Sequence, residues 1–167
     1  MSVLSYGKRM RTKRISPDEE AKYYCTQSVV DKDGFKIKFI SDYKGFGVFS
    51  ETRFNAGDFL LQYCGERISA EEGRRRLNKI GTENKCFFYE FQGEQLCIDA
   101  EDSDRLCQMV NNAPDTDVNA VMKLKVFSNR EYLCLFAVKN IEPGEELLYN
   151  YGDKENLWWR KKVNKKS

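Results

Sequence analysis

The chain has 167 residues, 41% of them hydrophobic and 13% aromatic, enough for one packed domain and too apolar for wholesale disorder. It contains no histidine, which removes Ser-His-Asp and Cys-His catalysis, histidine-ligated metals and histidine general bases together. The net charge of +2 divides unevenly: residues 1–22 hold six Lys/Arg against three acids, residues 154–167 six against one, and residues 23–153 carry a net −6. An acidic body with basic ends suits a cationic peptide better than a phosphate backbone, and ordinary solvated surface would look the same.

In chain order, MSVLSYGKRMRTKR lacks the apolar stretch of a secretory signal, and no run of 18 apolar residues occurs, so an intracellular chain with no membrane span is expected. Residues 1–22 read as a flexible basic arm, and KRMRTKR (8–14) has the composition of a nuclear-import or nucleic-acid patch. EEAKYYCTQSVV (19–30) suggests a short helix. FKIKFI (35–40) alternates apolar and charged residues like a half-buried strand. GVFS (47–50) and DFLLQYC (58–64) follow as strands around the turn NAG. SAEEGRRRLNKI (69–80) is the clearest helix, with Ser69 and Glu72 as a capping box and Gly73 as a weak point. CFFYEF (86–91) and QLCID (95–99) form a hairpin around Gly93; AVMKLKVF (120–127) and YLCLFAV (132–138) form another around SNRE. Seven or so short strands with one strong helix define a mainly β or α+β domain. The cysteines at 25, 64, 86, 97, 107 and 134 include no C-x-x-C pair, so reduced thiols rather than a metal site are expected.

Four segments carry possible chemistry, each with a plainer alternative. KGFG (44–47) lets backbone approach a ligand, or is simply a turn before a strand. Tyr63 ends an apolar strand, where tyrosines commonly pack with the hydroxyl reaching water. Tyr149 and Tyr151 in ELLYNYGD (146–153) would face one side of an extended segment, lining a slot or merely packing. MVNNAPD (109–115) ends in two amides able to bond backbone or a planar heterocycle, or to make an Asx turn.

Taken in order, KGFGVF, GDFLLQYCGERI, CFFYEF, LCIDA, DRLCQMVNN, NAVMKL and IEPGEELLYNYGD resemble the SET-domain lysine methyltransferases over about residues 35–160. Within them the chain looks most like the branch that monomethylates one lysine of the histone H4 tail. The resemblance implies the SET fold over residues 23–160, several small curved sheets with a knot-like crossing of segments near 109–112 and 146–151, followed by a basic tail at 161–167. It implies S-adenosylmethionine as cofactor, contacted by Lys44, Gly45, Phe46, Phe87, Asn111 and Asn112, with Trp159 or Trp158 over the adenine. Tyr151, Tyr63 and Tyr149 would form the catalytic channel, Tyr149 governing methyl number, with Asp153 in support. A monomer acting in the nucleus, or also in the cytoplasm, on a histone tail, nucleosome or other basic protein is implied, with nucleic-acid contact only through the basic ends.

The chain departs from the family where Asn-His-Ser is usual and Asn111-Asn112-Ala113 stands instead. Phe87 replaces a tyrosine, Gln108 an arginine, and Asn150 an acid. The alternative is therefore a catalytically silent SET-like module that holds a basic peptide or partner.

Overall fold

The computed structural model describes residues 15–79 and 85–150, and its elements follow from local chemistry. Helix α1 (Pro17–Thr26) opens with a complete capping box: the Ser16 hydroxyl accepts from the Glu19 amide, and the Glu19 carboxylate accepts from the Ser16 amide. Pro17 sits in the first turn, where its missing N–H costs nothing. The helix buries Ala21 and stacks Tyr24 on Phe59 at 5.9 Å. It starts two residues before the expected segment, so residues 17–22, read from charge as flexible arm, are in a packed helix.

Ten short strands follow among the described residues. Strands β1 (Phe35–Ser41) and β2 (Gly45–Ser50) pair as an antiparallel hairpin. The alternation in β1 suggested a half-buried strand, but Ile37 and Phe39 are exposed: only two strands make this sheet, and no second layer covers that face among the described residues. Strands β3 (Phe59–Gln62), β8 (Ala120–Phe127) and β9 (Arg130–Ala137) form a sheet in the order β3-β9-β8, with α1 against it. Strands β4 (Glu66–Ser69), β5 (Cys86–Phe91) and β6 (Glu94–Asp99) form another in the order β4-β6-β5. Both long hairpins close on two left-handed residues, Gln92-Gly93 and Ser128-Asn129, the turn whose twist matches paired strands.

Helix α2 (Ala70–Leu77) lies on the second sheet. Ser69 caps it by accepting from the Glu72 amide, but the Glu72 carboxylate goes to Arg75 and Arg76, so only half of the expected capping box forms. Gly73, taken as a weakness, is a packing requirement: a Cβ there would lie 2.8 Å from Cys97 Sγ and 3.0 Å from Phe88.

A 3₁₀ turn (Leu106–Met109) leads into β7 (Asn111–Asn112), which pairs in parallel with β10 (Leu148–Tyr149). The two segments expected to cross thus lie side by side. Asn119, buried, fixes the second: its amide donates to the Glu146 carbonyl at 2.8 Å and accepts from the Leu148 amide at 2.9 Å. On the other flank the Leu147 amide donates to the Val48 carbonyl, threading residues 145–149 between β2 and β7. The main core (Val48, Leu60, Leu61, Leu133, Leu135, Ile141 and Leu147 among others) surrounds this passage.

Candidate functional site

The threaded segment assembles the first half of the site. Gly45 turns into β2 with φ +73°, and a Cβ there would meet nothing within 4 Å, so the backbone around Lys44–Phe46 is open to a ligand. Lys44 is exposed, its amide donating to the Ser41 hydroxyl at 3.0 Å. Phe46 is exposed too, and meets Phe39 edge-on at 5.4 Å. The Asn111 side-chain amide reaches across and donates to the Phe46 carbonyl at 3.1 Å and the Glu146 carboxylate at 2.7 Å. These groups meet over Gly47, where a Cβ would fall 2.5 Å from Glu146 Oε2 and 3.0 Å from Asn111 Nδ2. Asn112, exposed, follows on β7 opposite Tyr149, and the Ala113 amide donates to the Tyr149 carbonyl at 3.1 Å.

The second half is aromatic. Tyr63 is buried at the end of β3, its ring 5.8 Å from Phe87 on β5 and its hydroxyl donating to the Lys85 carbonyl at 2.8 Å. Tyr149 is buried in the same contiguous core, against which Phe87 packs. The structure thus groups Lys44, Gly45, Phe46, Asn111, Asn112 and Tyr149 around the parallel pair, and sets Tyr63 and Phe87 as one aromatic wall. Tyr151, Asp153, Trp158 and Trp159 lie outside the described residues.

Three participants were not anticipated: Glu146, Lys85 and Asp115. Glu146 completes the Asn111 network; the signal was the amide itself, which needs an acceptor wherever it is buried. Lys85 supplies the carbonyl that orients Tyr63, while its ammonium lies 3.4 Å from the Gln108 carbonyl. The Gln108 side-chain amide donates to the Ser103 carbonyl of the preceding loop at 2.8 Å. Asn150, where an acid is usual, donates to Asp115 at 2.7 Å, so the acid is present but comes from another loop.

Beside Tyr63 opens a small cleft of about 110 Å³, whose lining includes Tyr63, Cys64, Arg67, Tyr89 and Glu131. Glu131, on β9, is buried; the Tyr89 hydroxyl donates to it at 2.8 Å and the Arg67 guanidinium at 2.6 Å. Burial alone would raise the Glu131 carboxyl, but the hydrogen bonds from Arg67 and Tyr89 outweigh it and hold the group below its ordinary value. Burial and the same carboxylate push Tyr89 upward, and burial lifts the Cys64 thiol to about 11. All six cysteines are free thiols.

The site thus combines an open glycine hairpin bonded to a threaded strand with an aromatic pair. The chain belongs to the SET-domain family, whose model matches residues 45–152. Among curated relatives it is 34% identical over 128 residues to the N-lysine methyltransferase KMT5A-A of Danio rerio, covering 74% of this chain and 36% of that one. It is 32% identical over 157 residues to the histone-lysine N-methyltransferase Set8 of Drosophila melanogaster, covering 89% and 22%. The chain therefore spans about a third or less of the length of these relatives. The crystal structure of CpSET8 from Cryptosporidium superposes with a TM-score of 0.67 at 24% identity, covering 81% of this chain and 66% of that one, a likeness of fold.

Proposed function

We propose that this chain is a protein-lysine N-methyltransferase that uses S-adenosylmethionine and adds one methyl group to a lysine of a histone tail or another basic protein. The observation that carries the reading is the Asn111 amide held between Phe46 and Glu146 over Gly47, on the same parallel pair that positions Tyr149. Family membership and the lysine-methyltransferase names of the relatives supply the reaction class.

The residues present fit such a cofactor. Backbone at 44–46 is open, and the exposed Asn112 and Phe46 offer an amide and an aromatic face to a nucleoside. When bound, the sulfonium supplies an electrophilic methyl group for in-line displacement. The chain's own task is alignment, which can account for several kcal/mol of the barrier. Tyr63, Phe87 and Tyr149 offer apolar walls that disfavour an ammonium and favour the neutral, nucleophilic lysine amine. Tyrosine hydroxyls and backbone carbonyls can hold a polarised methyl group through weak C–H···O contacts. Strand β5 lies at the edge of its sheet, so a substrate peptide can add beside it as a further strand. The acidic body favours a basic peptide, and nuclear action follows from a histone substrate.

Calorimetric titration of S-adenosylmethionine, followed by mass spectrometry of histone tail peptides, tests this reading. Micromolar binding and a monomethylated lysine are expected. No binding at millimolar cofactor would leave a silent peptide-holding module. Tyr149→Phe removes the hydroxyl taken to crowd out a second methyl, and should shift the product towards dimethyl-lysine. An unchanged product ratio would remove Tyr149 from control of methyl number.

A further inference from the structure

We propose that Cys25 and Cys134 are a peroxide-responsive pair, oxidised to a disulfide that fastens α1 to the central strand β9. Their sulfurs lie 3.4 Å apart although 109 residues separate them in sequence. Both belong to the cluster that seats the helix, in which Ala21 and Tyr24 pack on Phe59 and Phe136. A disulfide needs about 2.05 Å between sulfurs, so closure asks for a shift of little more than 1 Å. The helix can supply it, being ten residues long on one face of the sheet, while β9 is hydrogen-bonded on both sides.

The two thiols differ in a way that assigns their roles. Cys25 is half-buried and open to a small oxidant; Cys134 is fully buried. The contact with Cys25, together with burial, pushes the Cys134 thiol far upward, so it is not the first to attack. The Cys25 thiolate attacks one peroxide oxygen, the O–O bond breaks, hydroxide leaves, and Cys25 becomes a sulfenic acid. The Cys134 sulfur then displaces that hydroxyl; the S–S bond forms, the thiol proton leaves with the hydroxyl, and water is released. Two thiols and one hydrogen peroxide thus give one disulfide and two waters.

The remaining cysteines are less suited. Cys86 and Cys97 sit diagonally on neighbouring strands, Cys86 facing Asp99 and Cys97 facing Phe88, and their side chains hydrogen-bond, so what sets them apart from Cys25 and Cys134 is burial and not distance. Both are shielded under α2, Cys107 is fully buried, and burial lifts the half-buried Cys64 thiol to about 11. The inference does not depend on methyl transfer.

The test treats the reduced full chain with increasing hydrogen peroxide, blocks residual thiols with N-ethylmaleimide, and maps peptides by mass spectrometry without reductant. A Cys25–Cys134 linked peptide should appear before any other oxidation product. The melting temperature should rise by about 5–10 °C, because the link closes a long loop in the unfolded chain, and dithiothreitol should reverse the rise. Cys25→Ser, at a half-buried position, should fold normally and show neither the link nor the rise. Sulfinic acid at Cys25 without a linked peptide, a Cys86–Cys97 link formed first, or the same rise in Cys25→Ser would each overturn the proposal.

Discussion

Gly47→Ala is expected to weaken S-adenosylmethionine binding at least about 100-fold, equivalent to roughly 2.7 kcal/mol, while the domain stays folded. The new methyl group would lie 2.5 Å from Glu146 Oε2, 2.8 Å from Ile40 Cδ1 and 3.0 Å from Asn111 Nδ2. All three are the ends of side chains and can swing aside, so the fold should lose only about 1–2 kcal/mol. Swinging aside, however, breaks the bonds from Asn111 to Phe46 and Glu146, which fix the hairpin over the threaded strand. Binding should therefore suffer more than stability. Gly57→Ala is the control for backbone strain alone: its φ is +93° and its Cβ would meet nothing within 4 Å. It should lose about 1 kcal/mol of stability with an unchanged calorimetric titration. If Gly47→Ala binds the cofactor as the unaltered chain does, the Asn111 network belongs to the fold and not to the site.

That network also marks the boundary of what the sequence could reveal. The strands were legible because their apolar runs and turn residues are local: β5, β8 and the Gly93 turn fall where the pattern put them. The order of the motifs pointed to Asn111, Tyr63 and Tyr149; Tyr63 and Tyr149 lie in one core cluster, and Asn111 is on the strand paired with that of Tyr149. Partners were not legible, because they are set by folding. Glu146 lies 35 residues from Asn111, and Glu131 lies 64 from Arg67. Gly73 shows the same limit from the other side: helix propensity marks it as a defect, and only the sheet beneath explains it. The start of α1 was lost for a different reason. Its capping residues Ser16, Pro17 and Glu19 stand beside a run of basic residues, and composition masked a local signal that was present.

Arg67→Ala should destabilise the domain by about 2–3 kcal/mol near neutral pH, and this loss should shrink on mild acidification. Arg67 and Glu131 join the β4-β6-β5 sheet to the β3-β9-β8 sheet, with Tyr89 donating to the same carboxylate. The Glu131 side chain is 4% exposed and that of Arg67 is 43%, so the pair is one-sided: solvent screens the arginine but not the acid. Breaking a fully buried pair costs roughly 3–5 kcal/mol, and the half-exposed guanidinium scales that down. In the unaltered chain the folded carboxyl lies below its unfolded value of about 4.3. Its contribution is therefore present above that value and disappears as pH falls through the folded one. Without Arg67, burial dominates and the carboxyl rises above its unfolded value, so protonation favours the folded state and the deficit narrows as pH falls towards 5. Urea unfolding at pH 7 and pH 5 separates the two behaviours. A deficit of the same size at both values would mean that Arg67 stabilises the fold by packing its stem, and that the charge of Glu131 is already neutralised elsewhere. Replacing both partners with leucine should remove the pH dependence, because no buried charge is then left without its counterpart, and should cost about 1–3 kcal/mol for the Tyr89 hydroxyl that loses its acceptor.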